Sequence, residues 1–204
     1  VYVMEEPLAA AVGANVDVYE AKGNMVVDIG GGTTDIAVVS LGGAVESSSI
    51  KYAGDDYNNA LIKYARRKYN LLIGDQTAEN AKLAIGSVMK REEDVAYDIK
   101  GRDLIKGLPK AVTITANETV DAFEETTNHI LGAIHNVLET APPELVSDIA
   151  VSGIVLTGGG SLIYGLDKLI KERTGIDAYI SEKALEAVAL GAGMSVNLSD
   201  KKDD

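Results

Sequence analysis

The sequence contains 204 residues, of which 46% are hydrophobic, so the chain is long and apolar enough to bury a core. It contains no cysteine, which excludes disulfides and thiol chemistry and suits a reducing cytoplasm. The formal net charge of −12 argues against nucleic-acid binding, because that binding depends on attraction to phosphates. No apolar run approaches the roughly 18 residues of a membrane-spanning helix, and no signal-peptide pattern opens the chain. We therefore expect a globular cytoplasmic protein.

The first quarter of the chain alternates between strand-like and helix-like patterns. VYVMEEP at 1–7 predicts a strand that ends at its proline, and LAAAVGANV at 8–16 predicts a short helix of small residues. Three strand-like runs follow, at 25–29, 35–40 and 44–52. Glycine-rich turns join these runs, which predicts a meander of antiparallel strands.

The middle of the chain predicts helices on both sides of a hairpin. Apolar residues at helical spacing begin after Asp55, and a second helix follows. The runs VAYDI at 95–99 and AVTIT at 111–115 predict a hairpin with a wide connection. Thr115 and Glu118 have the spacing of a capping box, which predicts the start of a long helix.

The last third predicts further alternation. Pro142 and Pro143 stop the long helix. A short helix, the strand GIVLT, a helix that Gly175 ends, the strand DAYIS and a last helix from Glu182 follow. The tail SDKKDD is polar, and we expect it to be disordered. Because strands and helices mix throughout, the predicted class is α/β.

Two glycine triplets, Gly30–Gly32 and Gly158–Gly160, each follow an apolar strand. Glycine lets backbone N–H groups approach an anion, so each triplet is a candidate phosphate cradle, with an ordinary tight turn as the alternative. Thr33 and Thr34 add hydroxyl donors beside the first triplet, and Asp28 supplies a carboxylate for a hydrated magnesium ion. Neither triplet has the lysine of a P-loop, and the first leads into a strand rather than the helix of a dinucleotide fingerprint.

Several stretches carry a resemblance to a known family. EEPLAAAVG, DIGGGTTD and LTGGGSLIYGLDKLI are similar to the ATPase fold shared by actin, sugar kinases and the large heat-shock chaperones. More narrowly, SLGG, AGDD, YNLLIG, TAENAK, GRDLIKGLPK and TAPPEL, in this order, resemble MreB-family bacterial actins. The resemblance extends to about Met194. It implies an actin-like ATPase fold, in which helices flank a mixed sheet and a smaller α+β subdomain is inserted.

The resemblance implies a site for ATP or ADP with Mg²⁺. Asp28 would hold the metal through water, and Glu6 with Thr33 would be the catalytic residues that orient the attacking water. Glu79 and Lys82 match positions that reach the ribose hydroxyls, and Leu162 matches a position near the adenine ring. The implied nucleotide-binding residues are Asp28, Gly30, Gly31, Gly32, Thr33, Thr34, Glu79, Lys82, Gly158, Gly159, Gly160 and Leu162.

Four of these residues have ordinary alternatives. Glu6 also fits an exposed acid before a proline, because most surface carboxylates are only solvated. Glu79 and Lys82 have the spacing of a surface ion pair on a helix, and Leu162 fits a core position. The sequence leaves these alternatives open.

The resemblance also implies a division of the chain. Residues 1–19 would connect to a first domain, and 20–53 with 116–180 would form the larger subdomain of a second domain. Residues 54–115 would form its smaller subdomain, and 181–204 a C-terminal helix back to the first domain plus the tail. The family's first phosphate motif, Asp-x-Gly-Thr, has no match here. We therefore expect the C-terminal portion of a longer protein, deficient in hydrolysis because ATP lies between the two halves.

By resemblance the protein polymerises into filaments that control bacterial cell shape, beneath the cell membrane. Its expected partners are its own subunits, with a membrane-bound cell-shape adaptor as a further candidate. Neither nucleic acid nor membrane contact through this portion is expected, and the basic cluster Lys63, Arg66, Arg67 and Lys68 fits a solvated helix face. Two alternatives stay open: a small-molecule kinase on the same fold, and a nucleotide-binding interaction module that does not polymerise.

Overall fold

A computed structural model of the protein describes residues 4–199. The helices are α1 (Glu6–Gly13), α2 (Gly54–Tyr69), α3 (Asp75–Ile85), α4 (Ala116–Thr140), α5 (Pro143–Ser152), α6 (Leu166–Thr174) and α7 (Ala187–Ser199). The strands are β1 (Asn24–Ile29), β2 (Thr34–Ser40), β3 (Gly43–Ile50), β4 (Leu71–Leu72), β5 (Ala96–Asp103), β6 (Pro109–Thr115), β7 (Ile154–Thr157) and β8 (Ala178–Ile180). A short 3₁₀ helix, Gly159–Leu162, follows β7.

The larger sheet has five strands in the order β3-β2-β1-β7-β8. β1, β2 and β3 form the antiparallel meander, and β7 pairs in parallel with both β1 and β8. Asp28 on β1 lies opposite Thr157 on β7 and opposite Asp35 on β2. All residues of β1 after Asn24 are buried, as expected for a central strand with both faces covered.

Helices cover the two faces of this sheet. On one face, α4 contributes Phe123, Ile130 and Ile134 to the main core, which also contains Met25 of β1. On the other face, small residues of α1, including Ala10, pack against the sheet, and α7 lies against α1. The layered core fixes the strand ends, from which the candidate site is built.

A smaller, three-stranded sheet has the order β4-β5-β6 and lies beside α2 and α3. β5 and β6 form an antiparallel hairpin, and β4 pairs with the far end of β5. Leu71, Ile99 and Ile114 of this sheet belong to the same buried cluster as Met25 of the larger sheet. The two sheets therefore share one continuous core.

Most of the predicted elements are confirmed, including the meander, the hairpin and the helix that begins after Thr115. The predicted strand that ends at Pro7 is wrong for the described residues. Glu6 begins α1 and Pro7 lies in its first turn, where the missing N–H of proline costs no hydrogen bond. Residues 1–3 of that strand and 200–204 of the predicted disordered tail lie outside the described residues.

Two further elements differ from the prediction. The last helix begins at Ala187 rather than Glu182, because the Ala184 carbonyl accepts a hydrogen bond from the Gly158 N–H and residues 182–186 form turns. No sequence signal predicted β4, which has two residues. The division into subdomains stays a prediction, although its limits at 54 and 115 coincide with the start of α2 and the end of β6. Within residues 4–199, no helix combines the length and hydropathy that crossing a bilayer requires.

The Glu118 carboxylate ties the start of α4 to the end of α2. Its Oε2 accepts a hydrogen bond from the Thr115 N–H at 2.8 Å, as the capping-box spacing predicts. Its Oε1 accepts hydrogen bonds from the Tyr69 hydroxyl at 2.5 Å, from the Tyr64 hydroxyl at 3.2 Å and from the Lys68 ammonium. Burial alone would raise the pKa of Glu118, but these hydrogen bonds together lower the pKa to about 2.

Replacing Glu118 with Gln keeps an acceptor for the Thr115 N–H but removes the charge. Because the folded-state pKa lies below the ordinary value of 4.5, the charge stabilises the protein above pH 4.5, and this contribution is lost as the pH falls toward 2. We expect Glu118→Gln to lower the free energy of unfolding by about 1 kcal/mol at pH 7. Urea unfolding between pH 7 and pH 3.5 should show the difference narrowing below about pH 4.5.

The matched control is Glu139→Gln, at the exposed end of the same helix, where the side chain is 64% exposed. This variant should show no comparable loss of stability at pH 7. A pH-independent effect of Glu118→Gln would contradict the assignment of the lowered pKa to Glu118.

Candidate functional site

The two glycine triplets lie at the same edge of the larger sheet, at the carboxyl ends of the parallel neighbours β1 and β7. The second triplet packs on the end of β1. Gly158 has φ +78°, and an added Cβ there would lie 2.3 Å from the Ile29 carbonyl oxygen. At Gly160 an added Cβ would lie 2.4 Å from Ile29 Cγ2. Only glycine permits this approach, which brings the two turns together.

The first triplet forms an open turn between β1 and β2. The Gly30 N–H donates to the Thr33 carbonyl at 2.9 Å, which closes the turn. The Gly54 and Asp55 N–H groups at the start of α2 donate to the carbonyls of Gly30 and Gly31 at 3.0 Å and 2.8 Å. Within residues 4–199, the N–H groups of Gly31, Gly32 and Thr33 donate to no protein group, and all three residues are exposed. The turn therefore presents three consecutive free donors to solvent.

The two threonines beside this turn have different environments. Thr33 is exposed, whereas the Thr34 side chain is fully buried and its hydroxyl donates to the Tyr52 carbonyl at 2.7 Å. The Thr34 hydroxyl proton is therefore committed inside the protein and does not join the open donors, contrary to the sequence-based expectation. Successive side chains of a strand point to opposite faces of the sheet, and Thr34, the first residue of β2, lies on the buried face.

Asp28 lies beneath the turn and is only 5% exposed. Its Oδ1 accepts a hydrogen bond from the Thr157 hydroxyl at 2.7 Å. Burial raises the pKa of Asp28, the Thr157 hydrogen bond opposes this rise, and the charge of Asp35 adds to it. The Asp28 carboxylate is thus held in place by one donor in an environment that disfavours an uncompensated negative charge.

Glu6, at the start of α1, lies within electrostatic reach of these acids. Partial burial raises the pKa of Glu6, and the charges of Asp35 and Asp28 raise it further. Three carboxylates therefore share one region, and a divalent cation there would relieve their repulsion. In the described part of the chain, no three His, Cys, Asp or Glu side chains form a ready metal cage. The arrangement suits Mg²⁺, which commonly uses one or two carboxylates, waters and ligand phosphates.

Glu79 and Lys82 on α3 form a more specific arrangement than a surface ion pair. The Lys82 ammonium donates to Glu79 Oε2 at 2.8 Å and to the Gly54 carbonyl at 3.0 Å, and its side chain is only 10% exposed. Glu79 Oε2 also accepts from the Asn58 amide at 2.6 Å. The Lys82 hydrogen bond, followed by that from Asn58, outweighs partial burial and lowers the pKa of Glu79. Because Gly54 also bonds to Gly30, this pair is linked to the first turn.

A cavity of about 500 Å³ lies between the end of α3 and the second glycine turn. Lys82 and Leu83 line one side, and Gly159 and Leu162 line the other. Leu162 is 50% exposed, so it is not a core residue. The other residues that line the cavity are Gly86, Arg91, Ile163, Tyr164, Gly165, Asp167, Lys168 and Ile180. The structure thus brings together predicted residues that lie far apart in the sequence.

The predicted residues therefore fall into two neighbouring groups. One contains Asp28, Glu6 and the first glycine turn, and the other contains Glu79, Lys82, the second turn and Leu162. Sequence reasoning missed Thr157 and Asn58, which hold the two carboxylates in place. Thr157 directly precedes the second triplet, but only the parallel register of β1 and β7 shows that it reaches Asp28.

Comparisons with known proteins agree with this arrangement. The MreB/Mbl protein family profile matches residues 1–204. The chain is 47% identical over 200 residues to the cell shape-determining protein MreB of Escherichia coli K12. The aligned region covers 98% of this chain and 58% of that protein.

Solved structures show the same fold. MreB5 of Spiroplasma citri bound to AMPPNP has a TM-score of 0.95 at 37% identity, over 99% of this chain and 61% of that chain, and MreB5 has also been solved bound to ADP. A MamK double helical filament has a TM-score of 0.78 at 24% identity, over 95% of this chain and 58% of that chain, which shows the fold alone. The fold is therefore actin-like, with a mixed sheet flanked by helices.

The chain spans 58% of the length of E. coli MreB and 61% of that of MreB5. With a profile match across all 204 residues and 47% identity to E. coli MreB, the chain belongs to the MreB/Mbl family.

Proposed function

We propose that this chain binds ATP and ADP with Mg²⁺ at the edge of the larger sheet where β1 and β7 end, as part of a filament-forming cell-shape protein. The observation that supports this most is the set of three free N–H groups at Gly31, Gly32 and Thr33 beside the buried Asp28 carboxylate. Consecutive backbone donors of this kind form an anion-binding nest. AMPPNP and ADP bound to MreB5 add independent support for a nucleotide.

The phosphate end of the site uses the first turn. The N–H groups of Gly31, Gly32 and Thr33 would donate to the β- and γ-phosphates, and Gly30, whose own N–H closes the turn on the Thr33 carbonyl, would leave room for them. Asp28 would hold the magnesium ion through water. Bound Mg²⁺ supplies positive charge that neutralises the phosphate oxygens and offsets the repulsion among Asp28, Asp35 and Glu6. Thr157 keeps the Asp28 carboxylate facing this position through its 2.7 Å hydrogen bond.

The nucleoside end uses the cavity, whose volume of about 500 Å³ lies within the range of small-ligand pockets. Glu79 and Lys82 face the ribose hydroxyls as acceptor and donor, and Asn58 holds Glu79 in place. Gly159 leaves room beside the base, Gly158 and Gly160 hold the turn against Ile29, and Leu162 offers an apolar contact to the base. The hydrogen bond from the Lys82 ammonium to the Gly54 carbonyl fixes the nucleoside end of the site relative to the phosphate end.

We infer that Glu6 and Thr33 serve hydrolysis in the intact protein. The raised pKa of Glu6 makes its carboxylate a better acceptor for a proton from an attacking water, and Thr33 is exposed and carries one of the free N–H donors. The relatives are longer than this chain. The family resemblance implies that the intact fold encloses the nucleotide between two halves. We therefore infer that hydrolysis by this portion alone is weak.

We propose that nucleotide binding serves the self-association of the protein. The tip of the β5–β6 hairpin exposes Leu104, Ile105 and Leu108, at 41%, 77% and 61% exposure. Clustered exposed apolar side chains of this kind mark interaction surfaces. We propose that the tip contacts a second copy of the protein in a filament that forms in the cytoplasm beneath the cell membrane. A membrane-bound cell-shape adaptor is a further proposed partner.

The two alternatives differ from this proposal in measurable ways. A small-molecule kinase would transfer phosphate to a sugar or an acid. His129, which stacks on Tyr52, and exposed His135 lie on α4, and neither lines the cavity of the proposed site. A non-polymerising module would bind nucleotide without forming filaments. Assays of phosphoryl transfer and of sedimentation therefore separate the three functions.

Asp28→Asn tests the phosphate end. Loss of the charge should abolish the magnesium dependence of ADP and ATP binding and weaken the nucleotide affinity at least tenfold. Thr157→Val should weaken the nucleotide affinity about tenfold, because the Asp28 carboxylate loses its hydrogen bond. Titration with a fluorescent ATP analogue, with and without magnesium, measures both effects. The control is Asp98→Asn on the exposed face of β5. Equal magnesium-dependent binding by Asp28→Asn and by the unchanged protein would contradict the proposal.

Ile105→Asp together with Leu108→Asp tests the hairpin tip. Both side chains are largely exposed, so the folded structure should tolerate the changes, while a charge at a filament contact should prevent assembly. Sedimentation with magnesium and ATP should show loss of the pelleted fraction with nucleotide affinity unchanged. Val45→Asp, on the exposed side of β3, is the control. If the tip variant pelleted as the unchanged protein does, the hairpin tip would be excluded as a filament contact.

A further inference from the structure

The segment Gly86–Arg91, which we call the strap, leaves α3 and lies against the turn that follows the second glycine triplet. The Val88 N–H donates to the Tyr164 carbonyl at 3.0 Å, and the Tyr164 N–H donates to the Gly86 carbonyl at 3.3 Å. Gly165 has φ +84°, and an added Cβ there would lie 2.9 Å from Met89 Cβ. The backbone of the strap is therefore paired closely with residues 164–165.

Arg91 ends the strap and is anchored on two sides. Its N–H donates to Asn117 Oδ1 at 2.8 Å, at the start of α4. Its guanidinium carbon lies 4.2 Å from the centroid of the Tyr164 ring, and its Nη2 donates to the Gly86 carbonyl at 3.3 Å. The buried Nε has no hydrogen-bond partner among residues 4–199. The position of the guanidinium therefore depends mainly on the aromatic ring.

Arg91 and Tyr164 both line the 500 Å³ cavity beside the second glycine turn. They reach it from different parts of the fold, since the strap connects α3 to the three-stranded sheet and Tyr164 precedes α6. Lys168 on α6 places a second cation 5.5 Å from the same ring. The Arg91–Tyr164 stack thus joins opposite sides of the cavity without using any residue of the phosphate end.

We propose that Arg91 and Tyr164 are positioning residues for the nucleoside, whose stacking sets the distance between the two walls of the cavity. This inference rests on the proposed nucleotide site. With the stack in place, the strap holds the end of α3 and Lys82 at a fixed distance from Leu162, so that a flat base fits between the walls. Without it, only backbone hydrogen bonds join the strap to Tyr164, so the spacing of the walls is less fixed. The contacts to base and ribose then weaken, and the phosphate contacts of the first turn remain.

The test is competition with a fluorescent ADP analogue by ADP, adenosine and pyrophosphate, each with magnesium. Arg91→Met should weaken ADP and adenosine about tenfold, because a partly desolvated cation–π contact contributes roughly that factor, and should leave pyrophosphate unchanged. Tyr164→Leu should have a similar effect, and the double variant should be no worse than either single variant. Tyr164→Phe, which keeps the ring, should bind like the unchanged protein. Arg66→Met, at an exposed position on α2, is the matched control.

The outcomes separate this inference from the proposed function. Equal adenosine affinity in Arg91→Met and the unchanged protein would overturn the inference and leave the nucleotide site standing. Equal weakening of adenosine and pyrophosphate would also overturn it, because a general structural disturbance would then explain the loss. No ADP binding by the unchanged protein would overturn the proposed function and, with it, the inference.

Discussion

The parallel pairing of β1 with β7 is the constraint on which the site depends. It places Asp28 opposite Thr157 and brings two glycine turns, separated by more than a hundred residues, to one edge of the sheet. The packing of Gly158 and Gly160 on Ile29 then leaves no space for a side chain between the turns. In open α/β sheets the carboxyl ends of the strands are the usual place for a ligand, and here that edge also carries the free N–H groups.

The same edge holds features that work against stability. Burial and the neighbouring charge of Asp35 raise the pKa of Asp28, and Glu6 adds a third carboxylate to the region. Elsewhere in the chain, hydrogen-bond donors compensate a partly buried carboxylate. Three side-chain donors and one backbone N–H surround Glu118 and lower its pKa to about 2. Uncompensated charge beside unpaired donors is typical of a binding site, because a ligand with its metal supplies the missing partners.

Local signals were enough to predict much of the fold. Apolar periodicity, glycine-rich turns and the capping-box spacing of Thr115 and Glu118 predicted the meander, the hairpin and α4. The start of α7 and the two-residue β4 depend on tertiary hydrogen bonds, to Gly158 and to β5, that no local pattern encodes. The candidate site shows the same division. The glycine triplets are visible in the sequence, whereas Asn58, Thr157, Arg91 and the buried Thr34 hydroxyl acquire their roles from strand register and helix packing.

The most direct test of the account is to follow the backbone N–H groups of Gly31, Gly32 and Thr33 by amide NMR while magnesium and ADP are added. The account predicts large shifts of these three amide signals and slower exchange with solvent, both dependent on magnesium. Amides at the tip of the β5–β6 hairpin should not change in the absence of assembly. Saturating ADP that leaves the three signals in place, while shifting others, would show that the nucleotide binds elsewhere and would contradict the central claim.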